Sequence, residues 1–225
     1  MKKLCPLILL AFFAYCHETT AQVLDPFFNP ELASSQATWS GVEQSDGKII
    51  VTNDRPLLVN GQPRFIFRMN TDGTLDNTFD VDTDGGLVYD VGVQSSGKII
   101  IGGGFTKVNG TNIDYFARLN SDGSLDGSFN PGSGPDAMVT KVIVQPNDKI
   151  LIVGSFNNFN GTMANYFTRT NANGSLNGSF NSNLGTGFSF TPQDCDLSPD
   201  GSIVFVTSFF NGGGINGILK LNSNG

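Results

Sequence analysis

The stretch FARLNSDGSLDGSF, Phe116 to Phe129, decides the fold, because the chain writes it more than once. FRMNTDGTLDNTF spans Phe67 to Phe79, and FTRTNANGSLNGSF spans Phe167 to Phe180. The closing phenylalanine recurs at Phe28, Phe79, Phe129 and Phe180, at intervals of 51, 50 and 51 residues. Leu24, Leu75, Leu125 and Leu176 keep step with it. A fixed period of about fifty residues marks a repeat architecture, in which each unit buries its apolar faces against its neighbours.

Each unit carries three turn signals. The first falls at Asp46-Gly47, Ser96-Gly97, Asn147-Asp148 and Asp200-Gly201; the second at Asn60-Gly61, Asn109-Gly110, Asn160-Gly161 and Asn216-Gly217. The third falls at Asp72-Gly73, Asp122-Gly123, Asn173-Gly174 and Asn224-Gly225. Asn-Gly and Asp-Gly readily take the positive φ angles of tight hairpins. Short β-type runs such as KVIVQ, KILIVGSF and NYFTRT lie between the turns. Three turns joining four short antiparallel strands predict an all-β chain built of propeller blades. No long apolar run of helical period follows the first twenty residues, so helices are expected to be few. Residues 22–225 read as one repeat domain whose last unit is incomplete. Two readings of its blade number stand: a closed four-blade ring completed by the N-terminal strand, or an arc of a larger propeller, the preferred one.

The pattern in VQSSGKIIIGGGF, Val93 to Phe105, and ARLNSDGSLDGSF, Ala117 to Phe129, resembles the delta-60 repeat β-propellers of secreted and surface bacterial proteins. The resemblance runs from Leu24 to Gly225 and implies the propeller fold. It implies no general activity. The fourth copy, PDGSIVFVTSFF, departs most, since it lacks the paired glycines.

Lys2 and Lys3, the apolar stretch LILLAFFAY and the small residues before Gln22 read as an export signal over residues 1–21. Its removal takes Cys5, Cys16 and His17, the single histidine, and leaves Cys195 without a disulfide partner. Loss of Lys2, Lys3 and Glu18 changes the net charge from −7 to −8. That acidity argues against nucleic acid as a partner, and no polybasic patch marks a membrane surface. No transmembrane segment is expected once the signal is gone; the expected location is secreted or cell-surface.

The sharpest metal signal is DVDTDGG, where Asp80, Asp82 and Asp84 alternate ahead of Gly85. Alternate carboxylates followed by glycine match the first half of a calcium loop. Val91 stands at the twelfth loop position, and Asp90 beside it is the substitute ligand. The competing reading, a solvated acidic loop between blades, is the preferred one. The repeated Asn-x-Asp-Gly motif reads as a turn, because the third copy replaces both acids by Asn173 and Asn177. Arg68, Arg118, Arg169 and Lys220 recur beside it. They form either a cationic ring for an anionic polymer or hydrogen bonds to neighbouring turn carbonyls and to Asp76 and Asp126; the second is preferred. Cys195 aligns with Val91 and Val142 and is expected in the core.

No Ser-His-Asp, Cys-His or metal-histidine set exists after residue 21. The reading is therefore a non-catalytic binding or adhesion scaffold for an extracellular protein or glycan, of unassigned oligomeric state. A carbohydrate-active propeller using paired carboxylates, or a purely structural repeat of a larger exported protein, are the alternatives.

Overall fold

The computed structural model describes residues 38–185, 188, 192–207 and 217–225. The expected export signal over residues 1–21 and the expected repeat remnant around Leu24 and Phe28 lie outside the described residues.

The first unit contains β1 (Thr38–Glu43), β2 (Ile49–Val59) and β3 (Gln62–Met69). The second contains β4 (Val88–Val93), β5 (Ile99–Gly103), β6 (Lys107–Val108), β7 (Thr111–Asn112) and β8 (Phe116–Leu119). The third repeats this as β9 (Val139–Val144), β10 (Ile150–Gly154), β11 (Asn158–Phe159), β12 (Thr162–Met163) and β13 (Phe167–Thr170), followed by helix α1 (Gly178–Leu184). The fourth contains β14 (Asp194–Leu197), β15 (Ile203–Thr207) and β16 (Gly217–Leu221). Each unit makes one three-stranded antiparallel sheet: β1-β2-β3, β4-β5-β8, β9-β10-β13 and β14-β15-β16.

The turn chemistry works as the sequence predicts at the hairpins. Asn109 and Gly110 take φ of 49° and 78° between β6 and β7, and Asn160 and Gly161 take 48° and 72° between β11 and β12. Both residues left-handed is the type I′ signature that matches strand twist. Where the third unit lacks a glycine at the first turn, Asp148 itself adopts φ 61°. Its carboxylate and carbonyl are taken up by the preceding unit: Ser95 N donates to Oδ1 at 2.7 Å and Gln94 Nε2 to the carbonyl at 2.9 Å.

Expected four-stranded sheets are three-stranded among the described residues, with the fourth position reduced to single bridges, Met69–Leu75, Leu119–Leu125 and Thr170–Leu176. Two consecutive side-chain turns leave no room for more. Asp72 Oδ1 accepts from Thr74 N at 2.9 Å, and Asp76 Oδ1 accepts from Thr78 N at 3.0 Å. Only Leu75 lies between these turns in extended pairing. In the third unit the bridge is kept but the second of these turns gives way to α1, which Asn177 caps by accepting from Phe180 N at 3.1 Å.

The sheets stack through both faces. Ile99 and Ile101 join Ile50 and Ile66 in the core between units one and two, while Ile100 joins Val142, Ile152 and Phe159 in the next. Leu151, Val153 and Phe167 then meet Cys195 and Phe205. This is the period-two alternation of strands covered on both sides. Gly102 is required by that stacking, because a Cβ there would run into Val139 and Val142 of the following sheet. The first strands, β1, β4, β9 and β14, pack successively on one another and form the inner row. The described residues stack in sequence and do not form a closed ring.

Candidate functional site

The recurring arginines are built into the joints between units. Arg118 Nε donates to Asp126 Oδ2 at 2.8 Å within its own unit, while Nη1 donates to the Ala172 carbonyl of the next unit at 2.7 Å. Nη1 also reaches Gln94 Oε1 at 3.2 Å, and the guanidinium lies 4.8 Å from the Phe129 ring centre. Arg68 repeats this with Asp76 at 2.9 Å, the Ser121 carbonyl at 2.5 Å and the Phe79 ring. Arg169 donates to the Ser223 carbonyl at 2.7 Å and covers Phe180. Lys220 pairs instead with Asp200 at 3.1 Å. Each closing phenylalanine also supports the next unit's turn, since Gly123 sits over Phe79 and Gly174 over Phe129.

These joints fix charge states. Burial pushes the carboxyl of Asp76 up, but hydrogen bonds from Lys48, Thr78 and Arg68 outweigh it and hold the group well below the usual carboxylate range. Burial likewise pushes the Asp126 carboxyl up, but hydrogen bonds from Ser128 and Lys98 and the charge of Arg118 outweigh it and hold the group well below the usual carboxylate range. The third unit has Asn177 in place of the acid, and the buried Arg169 Nε is left without a partner. Burial alone lowers the Arg169 guanidinium from its ordinary value.

A different geometry occupies the inner row. The pairing of β1 with β2 skips between Thr38 and Ser40, that of β4 with β5 between Val88 and Asp90, and that of β9 with β10 at the Val139–Lys141 step. Each skip is a β-bulge, and the unpaired residues are Trp39, Tyr89 and Thr140. A bulge re-aims one side chain out of the pleat. Trp39 and Tyr89 stack across the unit boundary with ring centres 4.5 Å apart and planes inclined by 21°. Together with Thr38 and Thr140 they line a shallow groove of about 450 Å³. Trp39 remains 40% exposed and the adjacent Met138 42% exposed.

The residues following the bulges form a polar row behind that groove. Asp90 is buried; it accepts from Val91 N at 3.0 Å and from Val142 N of the next unit at 2.8 Å, and the Ser40 side chain also bonds it. Burial raises its carboxyl above the ordinary value in spite of these bonds. Lys141 pairs with Asp194 at 3.0 Å. Burial pulls the Lys141 ammonium down, but that hydrogen bond and the charges of Asp90 and Asp194 bring the net shift upward. Cys195 is buried, and burial pushes its thiol up to about 12, so it is a core residue and not a thiolate.

The structure does not bring the four calcium candidates together. Asp80 Oδ1 pairs with Arg64 Nε at 2.5 Å, and Asp82 Oδ1 lies 3.7 Å from Arg64 Nη1. Asp84 pairs with Lys107 at 2.7 Å, and Asp90 is in the inner row. Among the described residues no group of three or more His, Cys, Asp or Glu side chains is placed to hold a metal ion. The loop is strapped to the neighbouring Asn-Gly hairpin, with Asp82 N donating to Asn109 Oδ1 at 2.9 Å and Asn109 N donating to the Asp82 carbonyl at 2.8 Å.

A family model described as a domain of unknown function (DUF5122) beta-propeller matches residues 44–79, 94–129 and 145–180, each ending on a closing phenylalanine. The chain is a β-propeller repeat protein. Neither the curated proteins nor the solved structures yield a match. The matched segments begin at Gln44, Gln94 and Gln145, immediately after the inner strands. The bulge residues of the propeller therefore lie just outside the family pattern, in the segment where units differ. Sequence reading missed Trp39, Tyr89 and Thr140 as a group because a bulge leaves no composition mark. Their common offset of five residues before the repeated glutamine was the available signal.

A second groove of about 570 Å³ lies between units two and three, with Asp114, Tyr115 and Asp136 on its walls. Asp136 accepts from Asn157 N at 2.8 Å, Asn158 N at 3.0 Å and Asn158 Nδ2 at 2.8 Å. Burial opposes these donors but they prevail, keeping the carboxyl below its ordinary value. A carboxylate so engaged is a poor proton donor, whereas paired-carboxylate hydrolysis needs one acid held protonated.

Proposed function

We propose that this propeller is a non-catalytic binding scaffold acting outside the cell or at its surface. One observation carries the reading: the repeat's charged groups are spent within the blade joints, while the inner-strand bulges present uncharged groups to solvent. Groups that recur in every blade hold the fold, and groups that vary between blades at one fixed place are free to recognise a partner. The finer assignment to delta-60 propellers rests on the motifs at Val93–Phe105 and Ala117–Phe129. In that reading the four units are blades of one propeller. No helix among the described residues is long and apolar enough to cross a membrane.

Two measurements test the proposal. The natural protein should be recovered from medium or the cell surface with its N-terminus near Gln22; recovery only inside the cell, with Met1 or Lys2 retained, would sink the location. Incubation with neutral oligosaccharides and chromogenic glycosides should release no product. Release abolished by Asp114→Asn or Asp136→Asn would replace the scaffold with the carbohydrate-active alternative.

A further inference from the structure

The bulge groove carries a ligand assignment. In three successive blades the same register skip lifts one residue from the sheet, and the three are Trp39, Tyr89 and Thr140. The groove they line with Thr38 holds about 450 Å³, inside the ~300–1,000 Å³ range of small-ligand sites. Packing alone does not account for it, because a stacked Trp–Tyr pair that served the core would be dry, and Trp39 is 40% exposed. Gln193, the residue before Asp194 of the inner row, continues the exposed track in the fourth blade.

Chemistry narrows the occupant. Among the described residues, no charged side chain lines this groove. Nearby ionisable groups are already matched, Lys141 to Asp194 and Asp90 to two backbone amides and Ser40. A phosphate, sulfate or carboxylate ligand would find no cation there, and the chain's net charge of −7 repels polyanions. Flat aromatic faces flanked by threonine hydroxyls fit a ligand with an apolar face and a hydroxyl-bearing edge. A neutral pyranose ring has both: its axial C–H bonds lie on an aromatic ring and its equatorial hydroxyls bond side-chain hydroxyls and amides. The shallowness of the groove suits side-on contact with an extended chain of such rings.

We propose that Trp39, Tyr89 and Thr140 form a binding site for a neutral oligosaccharide, with Trp39 and Tyr89 as the stacking platform. This rests on the scaffold reading and names its ligand class. Trp39 is the single tryptophan of the chain, so its emission reports the groove directly. The full chain is titrated with cellohexaose, laminarihexaose, mannohexaose and xylohexaose, with emission and calorimetry read together.

At least one sugar is expected to give saturable binding, weakened about tenfold or more by Tyr89→Ala and by Trp39→Ala, the latter read by heat. Asp114→Asn, in the other groove, is expected to leave binding unchanged. Melting temperatures of the variants within a few degrees of the parent establish that they fold; where Trp39→Ala fails this, Trp39→Leu and Thr140→Ala are read instead. Absence of saturation with all four sugars overturns the assignment, as does equal binding by the groove variants. Preferential saturation by a heparin hexasaccharide also overturns it. The two readings fail separately: no binding removes the sugar site alone, whereas shortened oligosaccharides in the titrated samples would remove the non-catalytic scaffold.

Discussion

Arg118→Ala is the substitution that weighs the blade joint. The side chain is 11% exposed and donates to Asp126 in its own blade, to the Ala172 carbonyl of the next and to Gln94 between them. Hydrogen bonds involving a charged group contribute about 1.5–3 kcal/mol each, and guanidinium–aromatic contact adds about 0.5–2 kcal/mol. The sum overshoots, because Lys98 still pairs with Asp126 at 3.1 Å and spares it a lone buried charge. A loss of about 3–5 kcal/mol is the expected result, in the range for breaking a buried ion pair from one side. For a domain of this size that lowers the melting temperature by about 6–20 °C, read by circular dichroism at fixed salt. Amide exchange should rise on both sides of the joint, at the turn carrying Ala172 as well as in β8. Arg118→Lys should recover only part of the loss, since an ammonium cannot span the Asp126 and Ala172 acceptors as the planar fork does. A loss below about 1 kcal/mol for the alanine variant would place Arg118 among ordinary surface ion pairs and refute the clamp.

Four further outcomes follow from the same geometry. Asn177→Asp gives the orphan Nε of Arg169 an acceptor and is expected to raise the melting temperature by several degrees; a fall would mean that the Asn177 Nδ2 bond to Asn171 at 2.7 Å outweighs the new pair. The depressed carboxyls of Asp76 and Asp126 contribute stability that is complete above their unfolded value of 3.8 and drains away as pH falls below it. Asp90, shifted upward, works in the opposite sense as pH rises from 3.8, so an acid limb that is unchanged in the double variant Asp76→Asn, Asp126→Asn would contradict the assignment. In a variant with Cys5 and Cys16 replaced by serine, Ellman's reagent should label Cys195 only in denaturant; rapid labelling of the native protein would refute its burial. Millimolar calcium should leave the melting temperature unchanged because Arg64 and Lys107 hold the loop carboxylates, whereas a rise abolished by Asp82→Ala would restore a cation site.

The parts of this protein that were legible in its sequence are those where one residue type has one physical solution. Asn-Gly at the hairpins and Asp-Gly at the repeat turns announce left-handed backbone, and the fifty-residue spacing announces the stack. What the sequence did not disclose depends on partners far along the chain. Leu75 promised a fourth strand, but two carboxylate turns on either side consumed the backbone that a strand would need. Asp80, Asp82 and Asp84 carried calcium spacing, yet Arg64 and Lys107, both from hairpins adjoining the loop only in the fold, claim their oxygens. The same long-range rule explains the inner row. Trp39, Tyr89 and Thr140 do not repeat one residue type, and it is the bulge in each inner strand, a property of pairing, that gathers them. Repetition thus makes the scaffold readable, because the joints at Arg68 and Arg118 are written in the same letters at the same spacing. The residues proposed for recognition break the repeat at a fixed place, so they look like noise until strand register shows that they share one surface.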